Sequence, residues 1–292
     1  ASFFFIGQYI MKKFLFIIPL LFWLNSLAAS LDLVEVWRSP KLLKTPESCV
    51  YDSVRDCIYV SNINGNPTAK DGNGFISKLN SQGEIITLKW VVGLNAPKGI
   101  TISNQKLYLT DIDKIVIIDI NQEKIIDFIY VEDAEFLNDI TADTSGNIYF
   151  TDSSKQKGII YQLSTDKKVS QWIESEDIVR PNGIFFDNGF ILTGSYGDGK
   201  LFSINIESKE IKQIFISKSG IDGLVKFNKY YFLSDWVGKI YSLNMNGIYQ
   251  ELIDKKEQNI NAADIALIRD IKLLLVSTFF DNRIFAYHII IK

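Results

Sequence analysis

The sequence predicts an all-β chain folded as a six-bladed β-propeller, and three observations predict it. After residue 30 the apolar residues recur with period two nearly everywhere, in runs rich in Ile, Val, Tyr and Phe that Gly, Asn and Asp interrupt. No stretch carries a sustained helical stripe. Six short segments of similar form recur along the chain, with their second residues 51, 40, 44, 40 and 42 apart. That is the period of a propeller blade with several strands per unit.

Each unit opens at one of these segments: Pro46-Glu47-Ser48, Pro97-Lys98-Gly99, Leu137-Asn138-Asp139, Pro181-Asn182-Gly183, Ile221-Asp222-Gly223 and Ala263-Asp264-Ile265. An apolar first strand follows, such as residues 99–102 or 183–186. After a turn comes a second strand of aliphatic–aromatic–aliphatic–hydroxyl form at 58–61, 107–110 and 148–151, with a related form at 232–234. Third strands are expected at 114–118, 159–163, 200–204, 239–243 and 283–287. The sixth unit ends soon after its third strand. Residues 31–37 precede the first unit and supply the missing strand, closing the ring and hiding the sheet edges that promote aggregation.

The first 28 residues are expected to be a short extension followed by a cleaved export signal, leaving 29–292 as one propeller domain. Met11-Lys12-Lys13 is basic, residues 14–24 form an apolar run of 11, and Ser26-Leu27-Ala28 places small residues before a cleavage point. Residues 1–10 precede a plausible initiator, Met11. The run is shorter than the about 20 residues a spanning helix needs. The mature chain is therefore expected to be periplasmic or secreted, with no stable membrane association.

With 47% apolar and 22% charged residues the chain can build a packed core. A net charge of −3 leaves no electrostatic footprint for nucleic acid. The single histidine, His288, lies near the C-terminus, which excludes a Ser-His-Asp triad, a Cys-His pair and a multi-histidine zinc site. Cys49 and Cys57 fall in one hairpin. If Asp52 faces Cys57, Cys49 faces Val60, a register that disfavours a bridge and leaves two buried free thiols.

In a propeller the first strand of every blade lines the channel, so equivalent positions converge on the axis. The second residues of the openings then form a ring: Glu47, Lys98, Asn138, Asn182, Asp222 and Asp264. Asn and Asp often sit at turns for local reasons, but that does not account for six polar members of six. Three carboxylates against one ammonium leave a charge of −2, which one divalent cation neutralises. Oxygen donors favour Ca²⁺, with Mg²⁺, Mn²⁺ or Zn²⁺ as alternatives; zinc prefers His or Cys, which the ring lacks.

Glu47 before its strand, Leu137-Asn138-Asp139, Arg180-Pro181-Asn182-Gly183 and Ile221-Asp222-Gly223-Leu224 together resemble the blade openings of one family. It is the gluconolactonase, regucalcin (senescence marker protein) and luciferin-regenerating-enzyme-like family, with the related diisopropyl-fluorophosphatase-type propellers. The resemblance spans the mature chain. It implies an axial divalent metal held by Glu47, Asn182 and Asp222, with Asn138 as ligand or substrate contact, and hydrolysis of a lactone or reactive phosphoester. Phe136 stands where the gluconolactonase pattern commonly has Arg, and Ile140 where it has Gly, so a preference for sugar lactones does not carry over. A paraoxonase-type histidine dyad is excluded by the histidine count.

The leading expectation is an exported metal-dependent hydrolase of a small-molecule lactone or related ester, with Asp222 as general base or nucleophile. Lys98 either stabilises negative charge on the substrate or pairs with Asp264, and the pairing is preferred. Loops after the second strands border the same mouth and carry Asn62, Asp111, Asp152, Tyr196, Asp235, Trp236, Phe280 and Asp281. Trp236, with Lys98, Asn138 and Asp264, is a candidate substrate contact, although blade packing explains an aromatic equally well. Residues 62–74, rich in Gly and Asn, read as a lid or as an ordinary surface loop. The alternative function is a non-catalytic calcium-binding propeller serving as a ligand-binding or scaffold protein. A synthase of the strictosidine-synthase type fits the openings less well.

Overall fold

The computed structural model describes residues 31–154 and 158–292, so the export signal expected within residues 1–28 lies outside the described residues. The alternating apolar pattern forms six four-stranded antiparallel sheets. Blade one is Pro46–Asp52, Cys57–Asn62, Gly74–Asn80 and Ile85–Leu94. The next four blades begin with Pro97–Ser103, Leu137–Ala142, Pro181–Asp187 and Leu224–Phe227. Neighbouring first strands touch around a complete circuit. Among the described residues no helix is long and apolar enough to cross a membrane.

Blade six is made of Ile265–Ile268, Leu273–Ser277 and Ile284–Ile291, and its outermost strand is Leu31–Arg38 from the other end of the described chain. That strand runs antiparallel, with Leu31 opposite Ile291 and Arg38 opposite Phe285, and it closes the ring as the sequence predicts. The core lies in layers between blades. Ile58 and Val60 of blade one pack with Ala266, Leu275 and Ala286 of blade six. Burial falls outward: every residue of Cys57–Asn62 is buried, while the outer strand Lys124–Tyr130 alternates between exposed and half-buried. In the first hairpin Asp52 stands opposite Cys57 and Cys49 opposite Val60, and both thiols are free and buried.

In blades two, three and five the hydroxyl near the end of the second strand has a structural use. Thr110 Oγ1 donates to the Asn138 carbonyl at 2.5 Å and Thr151 Oγ1 to the Asn182 carbonyl at 3.0 Å. Ser234 Oγ donates to the Ala263 carbonyl. In each case the acceptor belongs to the segment that opens the next blade. Thr151 Oγ1 also accepts the Asp139 N–H at 3.1 Å, and Ser234 Oγ the Gly223 N–H at 2.7 Å. One hydroxyl thereby satisfies two buried backbone groups and joins two blades.

This stitch corrects the register of blade six. The Ala263 N–H donates to the Ser277 carbonyl and the Ser277 N–H to the Asp264 carbonyl, repeating the bonds that Asp222, Ser234 and Gly223 make in blade five. Ala263 is therefore the ring residue of blade six. Asp264 sits one residue further in, equivalent to Ser48, Asp139 and Gly223. The opening Ala262-Ala263-Asp264 lacks the Pro or Gly found in four of the other five, and has Ala at the ring position with an acidic residue one step along, which accounts for the difference of one.

The stitch predicts different costs for one substitution at two buried second-strand threonines, Thr151 at the stitch position and Thr193 one residue before it, where blade four has Gly194. Thr151→Val leaves the Asn182 carbonyl and Asp139 N–H without that partner and should cost about 1–3 kcal/mol in urea unfolding. The Thr193 hydroxyl is buried with no partner, so Thr193→Val should change stability by less than about 0.5 kcal/mol. Equal costs at both sites would remove the stitching role.

Candidate active site

A cavity of about 300 Å³ opens at the end of the channel where the first strands begin. Glu47, Lys98, Asn138, Asn182 and Asp222 all line it, each no more than 7% exposed. Five blades thus bring one polar side chain each to a common floor. Asp264 does not line the cavity. Ala263 instead joins an apolar cluster with Ile63, Ala96, Ile112 and Phe279. Trp236 forms part of the wall, in edge-to-face contact with Phe279 at 5.7 Å and Phe280 at 5.8 Å.

Loops after the second strands border this mouth, but most of their polar residues serve the backbone. The Asp111 carboxylate accepts the N–H groups of Asn95 at 3.0 Å and Ala96 at 2.7 Å. Asp152 accepts those of Glu135 at 3.1 Å and Phe136 at 3.3 Å, and Asn62 Oδ1 that of Lys44 at 2.8 Å. They clamp the chain as it enters blades two, three and one respectively. Gly65 and Pro67, in the loop over residues 62–74, reach the cavity. Lys70 ties that loop to Asp113 at 2.6 Å.

Lys98 does not pair with Asp264. Its ammonium donates to the Pro67 carbonyl at 3.0 Å and the Ala96 carbonyl at 3.2 Å, and lies 4.4 Å from the centre of the Phe136 ring. Among the described residues no carboxylate lies within 4.0 Å of it. Backbone carbonyls and a π-face take the place of the expected ion pair. Burial pushes the ammonium down to about 8, against the opposing fields of Glu47 and Asp111.

The amide oxygens have fixed directions. Ser153 Oγ donates to the Pro181 carbonyl at 2.5 Å, so toward Asn138 it acts as acceptor, taking a bond from Nδ2 at 3.2 Å. Asn138 Oδ1 then turns away from Ser153 and has no partner. Asn182 Nδ2 donates to Asp222 Oδ1 at 3.1 Å, which sets the second amide in the same way. Glu47 Oε2 is likewise buried without a partner. An unmatched buried acceptor is costly, and two around one cavity call for a donor or a cation.

Below the ring lies a second tier that sequence reasoning missed. Asp139 accepts the N–H of Ile140 at 2.7 Å and that of Ile184, in blade four, at 2.8 Å. Asp264 accepts the Ile265 N–H at 2.7 Å and the Ser48 hydroxyl of blade one. Gly223 makes room, since a Cβ there would sit 2.7 Å from Asp264 Oδ1. Burial raises the Asp222 carboxyl to about 8, helped by Asp264 and Asp235, and raises Asp264 to about 6. Glu47 and Asp139 also lie well above the carboxylate range, through burial first and then neighbouring carboxylates.

The oxygen donors of the floor, from Glu47, Asn138, Asn182 and Asp222, suit a hard divalent ion. Among the described residues no three His, Cys, Asp or Glu side chains gather closely enough to hold one by themselves. A cation here therefore needs the amide oxygens as well as Glu47 and Asp222. A larger cleft, about 840 Å³, opens between blades four and five at the far end. Lys226 pairs there with Asp187 at 2.5 Å, and no unpartnered buried group lines it among the described residues. The unmet chemistry is at the axis.

No family model matches the chain, and no curated protein does. Solved structures do. A chain of a nidogen/laminin complex is 16% identical with a TM-score of 0.65, over 76% of this chain and 84% of that one. Virginiamycin B lyase from Staphylococcus aureus, in a catalytically inactive histidine-to-alanine form with quinupristin, is 15% identical with a TM-score of 0.62. That match covers 90% of this chain and 100% of the lyase. Luciferin-regenerating enzyme is 15% identical with a TM-score of 0.62, over 89% of this chain and 95% of that one. These likenesses establish the propeller fold. With 1100 solved chains matching, the fold by itself selects no chemistry. His288 is exposed on the strand Ile284–Ile291 and does not line the cavity.

The crowded carboxylates fix a pH dependence. A carboxyl whose folded pKa is raised holds more protons folded than unfolded, so stability present below its unfolded pKa is lost as pH rises through the folded value. For Asp264 and Asp222 that window runs from about 4 to about 6 and about 8 respectively. In excess chelator the protein should melt at a lower temperature at pH 8 than at pH 5.5, and Asp222→Asn should narrow the gap. A melting temperature that rises over this interval would overturn the assignment.

Proposed function

We propose that the protein is an exported metal-dependent hydrolase acting on a lactone or related ester, of the gluconolactonase and luciferin-regenerating-enzyme-like type. The observation that carries this reading is the pair of buried, partnerless oxygens, Glu47 Oε2 and Asn138 Oδ1, on a cavity shared with Asn182 and Asp222. Export rests on the sequence of residues 11–28.

Glu47, Asn138, Asn182 and Asp222 would hold the divalent cation, Ca²⁺ ahead of Mg²⁺, Mn²⁺ or Zn²⁺. When bound, it supplies Lewis-acid polarisation of the substrate carbonyl. Asp222 is the general base. Its Oδ1 is held by Asn182, which fixes the carboxylate and leaves Oδ2 to accept a proton from attacking water. Ser153 orients Asn138, and Lys98 anchors the loop over residues 62–74 while offsetting part of the negative charge. Phe136, Tyr196 and Trp236 wall the reacting group from bulk water.

Calorimetric titration of Ca²⁺ into chelator-stripped protein, beside a lactone and ester panel, tests this reading. Stoichiometric binding and chelator-sensitive hydrolysis are expected. Asp222→Ala should lose the binding and lower kcat by at least about 100-fold with an unchanged circular dichroism spectrum. No binding of any of the four cations, or hydrolysis indifferent to chelator, would sink it. Binding with silence across the panel would instead make the protein a calcium-binding scaffold.

A further inference from the structure

The cavity mouth holds a cation whose terminal nitrogens neither a described hydrogen bond nor the proposed hydrolysis uses. Arg180 lines the cavity just ahead of blade four and is exposed. Its Nε donates to the Ser153 carbonyl at 3.3 Å, and its guanidinium lies 5.3 Å from the centre of the Tyr196 ring. Among the described residues no carboxylate lies within 4.0 Å of it, so the terminal N–H groups have no ionic partner. Lys98 differs, because its ammonium is committed to two carbonyls. The backbone does not explain the side chain. Arg180 has φ +50°, and Thr45, at the same entry position of blade one, has φ +49°. The turn repeats with a short residue, and a long cation at that place is an addition to it.

Blades five and six contribute an aromatic corner to the same mouth. Trp236, Phe279 and Phe280 meet edge to face, the two phenylalanines at 4.8 Å. Phe280 is 61% exposed, a large apolar surface for a residue at a cavity rim. The corner offers a flat ligand π-faces and few hydrogen bonds, which suits an aromatic ring and not a polyhydroxylated sugar. A volume of about 300 Å³ is at the small end for ligand sites and fits a single ring.

We propose that the site selects a compact aromatic acyl compound that carries a carboxylate. Its ring is seated in the Trp236–Phe279–Phe280 corner and its carboxylate is bound by the terminal nitrogens of Arg180, in the two-bond geometry that guanidinium offers carboxylates. The substrate class rests on the hydrolase reading, since it directs the scissile carbonyl toward Asp222. The recognition itself does not depend on turnover. Arg180 is a specificity-determining residue and has no part in the proton transfer.

Three probes of similar size test it: phenylacetate, its neutral analogue phenylacetamide, and gluconate. Each is titrated calorimetrically into the mature chain at pH 7, once with Ca²⁺ and once with EDTA. Phenylacetate should bind at least tenfold more tightly than phenylacetamide in both conditions, and gluconate more weakly than either. Arg180→Gln should erase the tenfold ratio while leaving phenylacetamide unchanged, Arg180→Lys should keep part of it, and Trp236→Ala should weaken both aromatic probes. A ratio that survives Arg180→Gln, that vanishes in EDTA, or that gluconate matches overturns the proposal. Failure of the ester panel alone, with these ratios intact, removes the hydrolase reading and leaves the recognition standing.

Discussion

Several carboxylates are held out of water around one axis, with a single ammonium among them, and the centre of the molecule is organised by that crowding. Like charges in a poorly hydrated space raise one another's pKa and destabilise the fold unless each finds a partner. Closing six first strands into a ring forces the crowding, because residues far apart in sequence are brought to one channel. The hydroxyls of Thr110, Thr151 and Ser234 secure that closure by spanning adjacent blades. Glycine at Gly99 and Gly223 lets neighbouring segments approach, since a Cβ at Gly99 would lie 2.6 Å from the Asn138 carbonyl oxygen.

The two tiers of the channel use similar chemistry to opposite ends, and partner accounting separates them. Asp139 and Asp264 have their oxygens matched to N–H or hydroxyl donors, some from the following blade, so they staple blades three to four and six to one. Glu47 and Asn138 keep an oxygen that nothing in the chain satisfies. Both residues line the axial cavity, where a small molecule or an ion can reach them. The same test sets aside Asn62, Asp111 and Asp152, whose acidic or amide character near the mouth serves incoming backbone N–H groups.

Fold and blade number were legible because period-two patterning and a repeat survive without knowledge of any contact. The ring was legible in five blades because Pro or Gly marks the opening, or because Leu137-Asn138-Asp139 follows the same form. Blade six lacks such a mark, and an acidic residue one step along drew the alignment to itself. The partners of Lys98 were not legible for a different reason: the Pro67 and Ala96 carbonyls carry no side-chain signal, so an ion pair looked like the natural resolution. Asp139 was visible in its tripeptide, but its separate role needs the knowledge that adjacent residues occupy successive depths. Phe279 lies outside the strands, where no repeat position flags it, and Arg180 was visible in its opening segment without any sign that its terminal nitrogens stay unpaired.

Structures that share this architecture at 15–16% identity include a nidogen/laminin complex and a lyase, so the blades transmit a geometry and not a reaction. What distinguishes one propeller from another is therefore confined to the residues that the ring projects inward and the loops that rise around them. Here the floor is acidic and oxygen-rich, whereas the rim combines an aromatic corner with an unpaired guanidinium. A neutral, fully apolar ligand would leave Arg180 unanswered, and a small polar one would leave the rings of Trp236 and Phe280 facing water. The two halves of the rim are satisfied together by a ligand that is flat and apolar at one end and anionic at the other. Such a ligand would present its remaining polar group to the floor, where the unmatched oxygens of Glu47 and Asn138 lie.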